Sequence, residues 1–452
     1  MTRDSEFDGA VRAFEGLRAH LEAVPRDCEL LQILCEEGFG ASIGRWVPMS
    51  APPAVFERLF LDLARVDFAW LRRLRSDVLA APTDGSGGVP ELAPFPYAEL
   101  SGAGIGDLAS RGEADLVSGR WGVVIFAGGA ATRFWAGASG HPQARAILSR
   151  YGGNAPKGLF PVAPLTGRSF LDLFAEQMLQ SGRRHGRMAP LVLMAGRATR
   201  DALLEWVETS LPEGFDRSLV KVMVQADHPR LDMDGHLLIR ADGSLVFTGD
   251  GHGGVFKALL DPEYGDGGVA GWLRGLGVRS IVLHNVDNVA AMALEPARLG
   301  FHARGGFSMT MSAVLRVDPL EKVGIIAMNR VTGRVEVVEY SVCPVQTATA
   351  VDAAGRLLLV PAHINTNLVE LDAVRPDLPP TLYGGKEVDI GGRLVRACSH
   401  EMLNQSLAGL LEPSRVGVLV LERDRYFQPT KSLDGVDSLV TTREWLGRRG
   451  ID

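Results

Sequence analysis

From Trp121 onward the chain alternates short apolar segments with amphipathic ones, and no other feature of the sequence limits its fold so strongly. Val123–Phe126, Leu191–Met194, Lys221–Gln225 and Ser280–Asn285 have strand length and are rich in β-branched or large apolar residues, while Ser169–Ser181 and Arg200–Leu211 carry helical spacing between them. Such alternation calls for βαβ units and a largely parallel sheet, with ligands at the carboxyl ends of the strands. The first ~80 residues read as helices instead, with Phe56, Leu59, Phe60, Leu63, Trp70 and Leu74 on a repeating apolar face. A loop rich in proline and glycine, Pro82–Pro90 and on through Pro94 and Pro96, marks a change of organisation. Beyond about residue 300 the signals turn antiparallel, with a hairpin expected over Gly324–Tyr340 turning at Thr332-Gly333.

At 452 residues the chain is too long for one core, and two or three domains are expected. A formal charge of −7 argues against a general nucleic-acid binder, which needs a basic surface for phosphates. No apolar run reaches the ~20 residues needed to cross a bilayer. Cys28, Cys35, Cys343 and Cys398 show neither C-x-x-C spacing nor the density of a disulfide scaffold, so a reducing, cytoplasmic setting is expected.

The loops after the strands carry the chemistry. Phe126-Ala-Gly-Gly-Ala-Ala-Thr-Arg133 follows Val123-Val124-Ile125, and its paired glycines allow a sharp turn and a close approach of phosphate or base to the main chain. Arg133 and, downstream, Lys157 in Pro156-Lys157-Gly158 add positive charge. Alone, Gly128-Gly129 also reads as a plain βα turn, and it fits neither the G-x-G-x-x-G fingerprint nor a P-loop. Asp287 in His284-Asn-Val-Asp-Asn288 ends a strand, where its oxygens suit a hard cation such as Mg²⁺ or, equally, a turn. Thr248-Gly-Asp-Gly-His-Gly-Gly254 offers a nearly side-chain-free loop around His252, whose ring can donate to a phosphate or hydroxyl. The amide of Gln225 can pair with a base edge, and Lys431 follows a proline in a turn suited to a polyphosphate.

Taken in order, GG-x-x-T-R, P-K-G-L-F-P, Q-x-x-x-P-R, G-x-G-H-G-G, V-D-N, V-E-Y-S, N-T-N and P-T-K resemble the eukaryotic-type UDP-sugar pyrophosphorylases, over roughly residues 121 to 435. That family includes the UDP-N-acetylhexosamine pyrophosphorylases and the UTP–glucose-1-phosphate uridylyltransferases. The resemblance implies a Rossmann-like, mostly parallel α/β nucleotidyltransferase (GT-A-like) core with N-terminal helices and a small C-terminal domain. The expected bounds are an N-terminal helical region over 1–95, a catalytic domain over 96–385 and the C-terminal domain over 386–452. It further implies that the backbone around Gly128, Gly129, Gln225 and Gly251 contacts uracil. Arg133, Lys157 and Lys431 would meet phosphates as the catalytic cations, and Asp287 would bind Mg²⁺. His252, Glu339 and Asn365 or Asn367 would face the sugar phosphate. The implied partners are UTP, a sugar 1-phosphate, the UDP-sugar and pyrophosphate, with no nucleic acid and no membrane.

The implied reaction needs no side-chain base, because a sugar 1-phosphate is already an anionic nucleophile; the protein aligns it with the α-phosphorus of UTP and offsets negative charge. Two departures stand out. Ala131 takes the place of the family's glycine in G-x-G-T-R, narrowing the backbone angles available. The stretch Phe134–Ala155 is longer than the usual link, and reads as a lid or an insertion. The His252 loop resembles the glucose 1-phosphate enzymes, whereas Gly253-Gly254, Glu339-Tyr-Ser341 and Phe427-Gln-Pro-Thr-Lys431 sit closer to the N-acetylhexosamine enzymes, which are slightly favoured. The alternative is a nucleotide-sugar sensor without catalysis on the same fold.

Overall fold

The structure, a computed structural model, describes residues 3–81, 91–102, 104–129, 131–340 and 342–451; the Pro82–Pro90 boundary loop and Ser341 lie outside them. The chain divides into two compact units, each built from separated stretches. One comprises Met1–Gly87, Ala226–Gly251 and Pro379–Met402; the other Gly88–Gln225, His252–Leu378 and Leu403–Asp452.

The first unit is led by helices. Phe56, Leu59, Phe60 and Leu63 bury one face of Pro53–Leu63, whose leading proline sits where no helical N–H is needed. In Phe68–Ala80, Leu71 and Leu74 are buried while Trp70 is only partly so, and Asp67 caps the helix by accepting from the Trp70 N–H. Strands Pro380–Ile390 and Arg393–Met402 form an antiparallel hairpin turning at Gly391-Gly392. Both glycines have positive φ, as the two-residue hairpin turn requires.

The second unit is built on a mixed sheet. Its main path runs Ala98–Glu99, Val416–Val420, Met309–Leu315, Pro361–Glu370, Ser280–Asn285, Trp121–Phe126, Leu191–Ala195, Val220–Val224. Neighbours on this path are parallel except Pro361–Glu370, which lies antiparallel to the strands on both sides. Every residue of Trp121–Phe126 and of Leu191–Ala195 is buried, so these strands read as unbroken apolar runs because both faces are covered. The α/β architecture expected from the alternation is therefore present, as is the hairpin pairing Gly324–Asn329 with Val335–Val338. The helix expected after Ser169 spans Phe170–His185, held at its start by a Ser169/Asp172 capping box.

The long link Phe134–Ala155 is helical and anchored, which argues against a free lid. Phe134 and Trp135 are buried and pack edge-on with Phe160, and the Trp135 indole donates to the Ala155 carbonyl at 3.1 Å. Three large rings in one core outweigh the link's unusual length.

Helices Ile105–Val117 and Pro296–Gly305 approach backbone to backbone through glycines. A Cβ on Gly112 would lie 1.9 Å from the Pro296 carbonyl oxygen, and one on Gly300 1.8 Å from that of Leu108. Gly→Ala inside a helix ordinarily stabilises by about 1 kcal/mol. Gly300→Ala should instead destabilise by about 1–3 kcal/mol, the cost of overpacking, measured as a lower urea midpoint at unchanged m.

Candidate active site

Trp121–Phe126 and Ser280–Asn285 run parallel with Phe126 opposite Asn285, so the glycine loop and Asp287 leave neighbouring strands at one edge of the sheet. Gln225 joins that edge, its N–H donating to the Ala195 carbonyl at 2.9 Å. The paired glycines have different duties. A Cβ on Gly128 would sit 2.1 Å from the Gly196 nitrogen, so glycine is required there for the close approach of two loops. Gly129 is exposed, with nothing within 4 Å of a Cβ built on it, and its backbone is open to a ligand. Ala131 has φ 47°, left-handed backbone that glycine adopts freely and alanine only under strain.

Of the three expected cations, Lys157 alone pairs with Asp287 among the described residues. Lys157, 7% exposed, places its Nζ 2.9 Å from Asp287 Oδ2 and 5.1 Å from the centre of the Phe134 ring. Burying an ammonium is costly without a partner, and this carboxylate provides one. The Pro-Thr-Lys turn is tied to the same strand end. Thr430 N–H donates to the Asp287 carbonyl at 2.9 Å, Gln428 N–H to Asn288 Oδ1 at 2.9 Å, and Asn288 Nδ2 to the Tyr426 carbonyl at 3.1 Å. Lys431, the residue after Thr430, has a half-exposed side chain with its Nζ 3.3 Å from Asp437. Arg133 is exposed and makes no ion pair among the described residues.

The expected sugar-facing residues form an amide network. Along Pro361–Glu370 the register with Met309–Leu315 slips between Met311 and Ala313, leaving Ile364, Asn365 and Thr366 opposite Ser312 alone. Asn365 takes φ 50° in this bulge, a conformation asparagine tolerates better than most side chains, and its Nδ2 donates to Asn285 Oδ1 at 2.9 Å. Asn404 Nδ2 reaches Asn365 Oδ1 at 2.7 Å and His252 Nδ1 at 2.8 Å, while Asn367 Nδ2 donates to Asn404 Oδ1. The His252 ring stacks on Phe126, with centroids 5.6 Å apart. Glu339 accepts from Gln405 Nε2 at 3.2 Å, and burial pushes its carboxyl pKa up. Gly251 belongs to the first unit, where its φ of 84° and the Met402 carbonyl oxygen, 2.5 Å from any Cβ, both demand glycine.

Sequence reasoning missed Asn404, Gln405, Asn285, His363 and Thr430. The only trace of the first two was an Asn-Gln pair inside the apolar run Met402–Leu407.

Asp287 fits Mg²⁺ in the way a nucleotide-dependent site does. It offers a single carboxylate, 24% exposed, whose Oδ1 is unbonded among the described residues, and Mg²⁺ commonly takes one or two carboxylates with the rest from phosphate and water. Among the described residues only Asp232, Asp234 and His236 gather as three candidate ligands, in the first unit, where Arg45 pairs with both carboxylates at 2.9 and 2.8 Å.

Burial holds three histidines of the second unit neutral. Desolvation is the leading cause for each: His252 is lowered to about 3, with His363 adding to the shift, and His284 and His363 to about 4, each partly countered by a hydrogen bond. Unfolding releases them to titrate near the ordinary 6.5. The unfolded chain then binds more protons, so their stabilisation is complete above pH 6.5 and is lost as pH falls toward 4. Three such groups give a slope of up to roughly 4 kcal/mol per pH unit. Urea midpoints measured down this range should fall, and His363→Gln should flatten the fall.

A model of the family described as UTP–glucose-1-phosphate uridylyltransferase matches residues 148–374, a span holding Lys157, Gln225, His252, Asp287, Glu339, Asn365 and Asn367 but not the glycine loop or Lys431. The UDP-N-acetylglucosamine pyrophosphorylase of Saccharomyces cerevisiae is 26% identical over 234 residues, covering 51% of this chain and 48% of that protein. The chain spans about half the length of the curated relatives it matches. In fold it is similar to the UDP-N-acetylglucosamine pyrophosphorylase of Trypanosoma brucei, with TM-score 0.74, 19% identity and coverage of 93% of this chain and 84% of that one. The Leishmania major UDP-glucose pyrophosphorylase, solved with UDP-glucose, has TM-score 0.58 at 16% identity, covering 87% and 80%. With half of its length matched by that model and the matching loops gathered at one sheet edge, this chain belongs to the UTP–glucose-1-phosphate uridylyltransferase family, whose members are nucleotidyltransferases.

Proposed function

We propose that the chain makes a UDP-sugar and pyrophosphate from UTP and a sugar 1-phosphate. The observation that carries this reading is the junction of Lys157, Asp287 and the Thr430-Lys431 turn at the carboxyl ends of the parallel strands of a mixed sheet. The uracil would lie along the open backbone at Gly129, with the Gln225 amide at its edge. Arg133, Lys157 and Lys431 would line the triphosphate, and His252, Glu339, Asn365 and Asn367 the sugar phosphate.

An oxygen of the sugar 1-phosphate attacks the α-phosphorus in line, the bond to the bridging oxygen breaks, and pyrophosphate leaves with both its electrons. No proton has to be removed, so the protein contributes alignment and charge. Bound at Asp287, Mg²⁺ would supply Lewis-acid neutralisation of the phosphates. The Lys157 ammonium, buried and held by Asp287, is preorganised to face charge developing on phosphate oxygens. N-acetylhexosamine 1-phosphate is slightly favoured over glucose 1-phosphate, supported by the Glu339-Tyr-Ser341 and Phe427–Lys431 motifs and by the names of the curated relatives. No disulfide joins the four cysteines, which suits the cytoplasm, and among the described residues no helix is long and apolar enough to cross a membrane.

A second reading, a nucleotide-sugar sensor without catalysis, draws on one observation, the left-handed Ala131 in the loop expected to hold UTP. Incubation with UTP, Mg²⁺ and a panel of sugar 1-phosphates, following pyrophosphate, separates the two. The enzyme releases pyrophosphate with an N-acetylhexosamine or glucose 1-phosphate; a sensor binds nucleotide and releases none. Lys157→Met should lower kcat by about 10²–10³ without loss of fold by circular dichroism, the size seen when one preorganised charge-stabilising group is removed. Asp287→Asn should raise the Mg²⁺ concentration needed for half-maximal rate. Near-normal kcat in Lys157→Met would contradict the assigned role.

A further inference from the structure

His252 and Asn404 are joined by two contacts to one ring nitrogen. The backbone N–H of Asn404 points at His252 Nδ1 at 3.1 Å, and Asn404 Nδ2 lies 2.8 Å from the same atom. A backbone N–H can only donate, so Nδ1 must present its lone pair, and in the neutral ring the proton sits on Nε2. This conclusion does not depend on how the side-chain amide is oriented.

The amide orientation follows from the rest of the network. Asn404 Oδ1 receives Asn367 Nδ2, and Asn367 Oδ1 faces His363 Nε2 at 3.0 Å. The second Asn404 amide hydrogen goes to Asn365 Oδ1, and Asn365 Nδ2 goes on to Asn285 Oδ1 at the strand end. Each member donates and accepts in one consistent direction, and Asn404 itself is fully buried, so rotation would leave buried donors facing donors. Phe126 fixes the plane of the ring from one face. The titratable group beside it is His363, itself neutral. A proton added at Nδ1 would face two N–H groups, and Nε2 already carries one.

We propose that Asn404 is a positioning residue that locks His252 in the Nε2–H form, so that His252 meets the sugar phosphate as a permanent hydrogen-bond donor and never as a base. The part concerning the sugar phosphate rests on the uridylyltransferase reading; the locked ring does not. Asn404 touches no substrate in this account and acts through His252 alone.

The test is the histidine nitrogen–proton correlation spectrum of the full chain carrying isotope-labelled histidine, for wild type and Asn404→Asp. In wild type His252 Nδ1 should be unprotonated and Nε2 protonated between about pH 5 and 8, with no titration in that range. In Asn404→Asp the carboxylate competes as an acceptor with the retained backbone N–H at Nδ1, so an Nδ1–H population should appear beside the Nε2–H form, and a ring that stays wholly Nε2–H would overturn the role of the Asn404 side chain. With the Nδ1–H population, kcat/KM for the sugar 1-phosphate should fall at least about tenfold while KM for UTP stays within about twofold. A protonated Nδ1 in wild type overturns the proposal, whatever the variants do. So does full sugar 1-phosphate activity in an Asn404→Asp protein whose ring has switched. If Asn404→Asp does not fold, Asn404→Ser, which keeps the backbone donor and removes the amide, should retain the Nε2–H form but broaden it; an unchanged spectrum with unchanged kinetics again overturns the role. A protein that forms no product with any sugar 1-phosphate would end the proposed function, while its spectrum would still decide the tautomer.

Discussion

A buried ammonium and a strand-end carboxylate, 130 residues apart in sequence, meet at 2.9 Å, and the architecture of the site follows from that pair. Lys157 reaches Asp287 because Trp121–Phe126 and Ser280–Asn285 are parallel neighbours that release their loops at one edge. Burial under Phe134 makes a partner obligatory, and the partner is the residue best placed to take a hard cation. The Asp287 backbone then receives the Thr430 N–H, so the C-terminal Pro-Thr-Lys turn is held to the same point. Ion pair, strand edge and C-terminal turn form one mechanical unit, with charge concentrated where a polyphosphate would lie.

Much of this was legible in the sequence, for physical reasons. Strands buried on both faces must be apolar throughout, so the central parallel strands announced themselves, and helices between them followed from spacing. Lys157 and His252 were visible because glycine or proline flanks them, and Asp287 because it follows an apolar strand. What stayed hidden was whatever depends on pairing across distance. Asn404 is an ordinary asparagine until the bulge at Asn365 and the His252 loop come to it. The make-up of the two compact units, each from separated stretches, has no local signal either. Phe134–Ala155 read as surplus length; its aromatic side chains fix it to the core.

The glycine loop is sharpened by the structure. Gly128 is needed by the packing of the protein itself, since a Cβ would collide with Gly196, whereas Gly129 leaves its backbone open. Ala131 keeps the left-handed turn that a glycine would make, at a strain of about 1–2 kcal/mol. The left-handed backbone at this position is carried by an alanine, and the surrounding fold carries the strain.

On the proposed reading, a site of cations, amides and two carboxyl groups, Asp287 and Glu339, with its histidine locked as a donor, supports direct displacement with no uridylylated enzyme. Exchange of radiolabelled pyrophosphate into UTP tests this directly. With Mg²⁺ present, label should enter UTP only when a sugar 1-phosphate or UDP-sugar is added. Exchange without any sugar substrate, or none with it, would contradict the account.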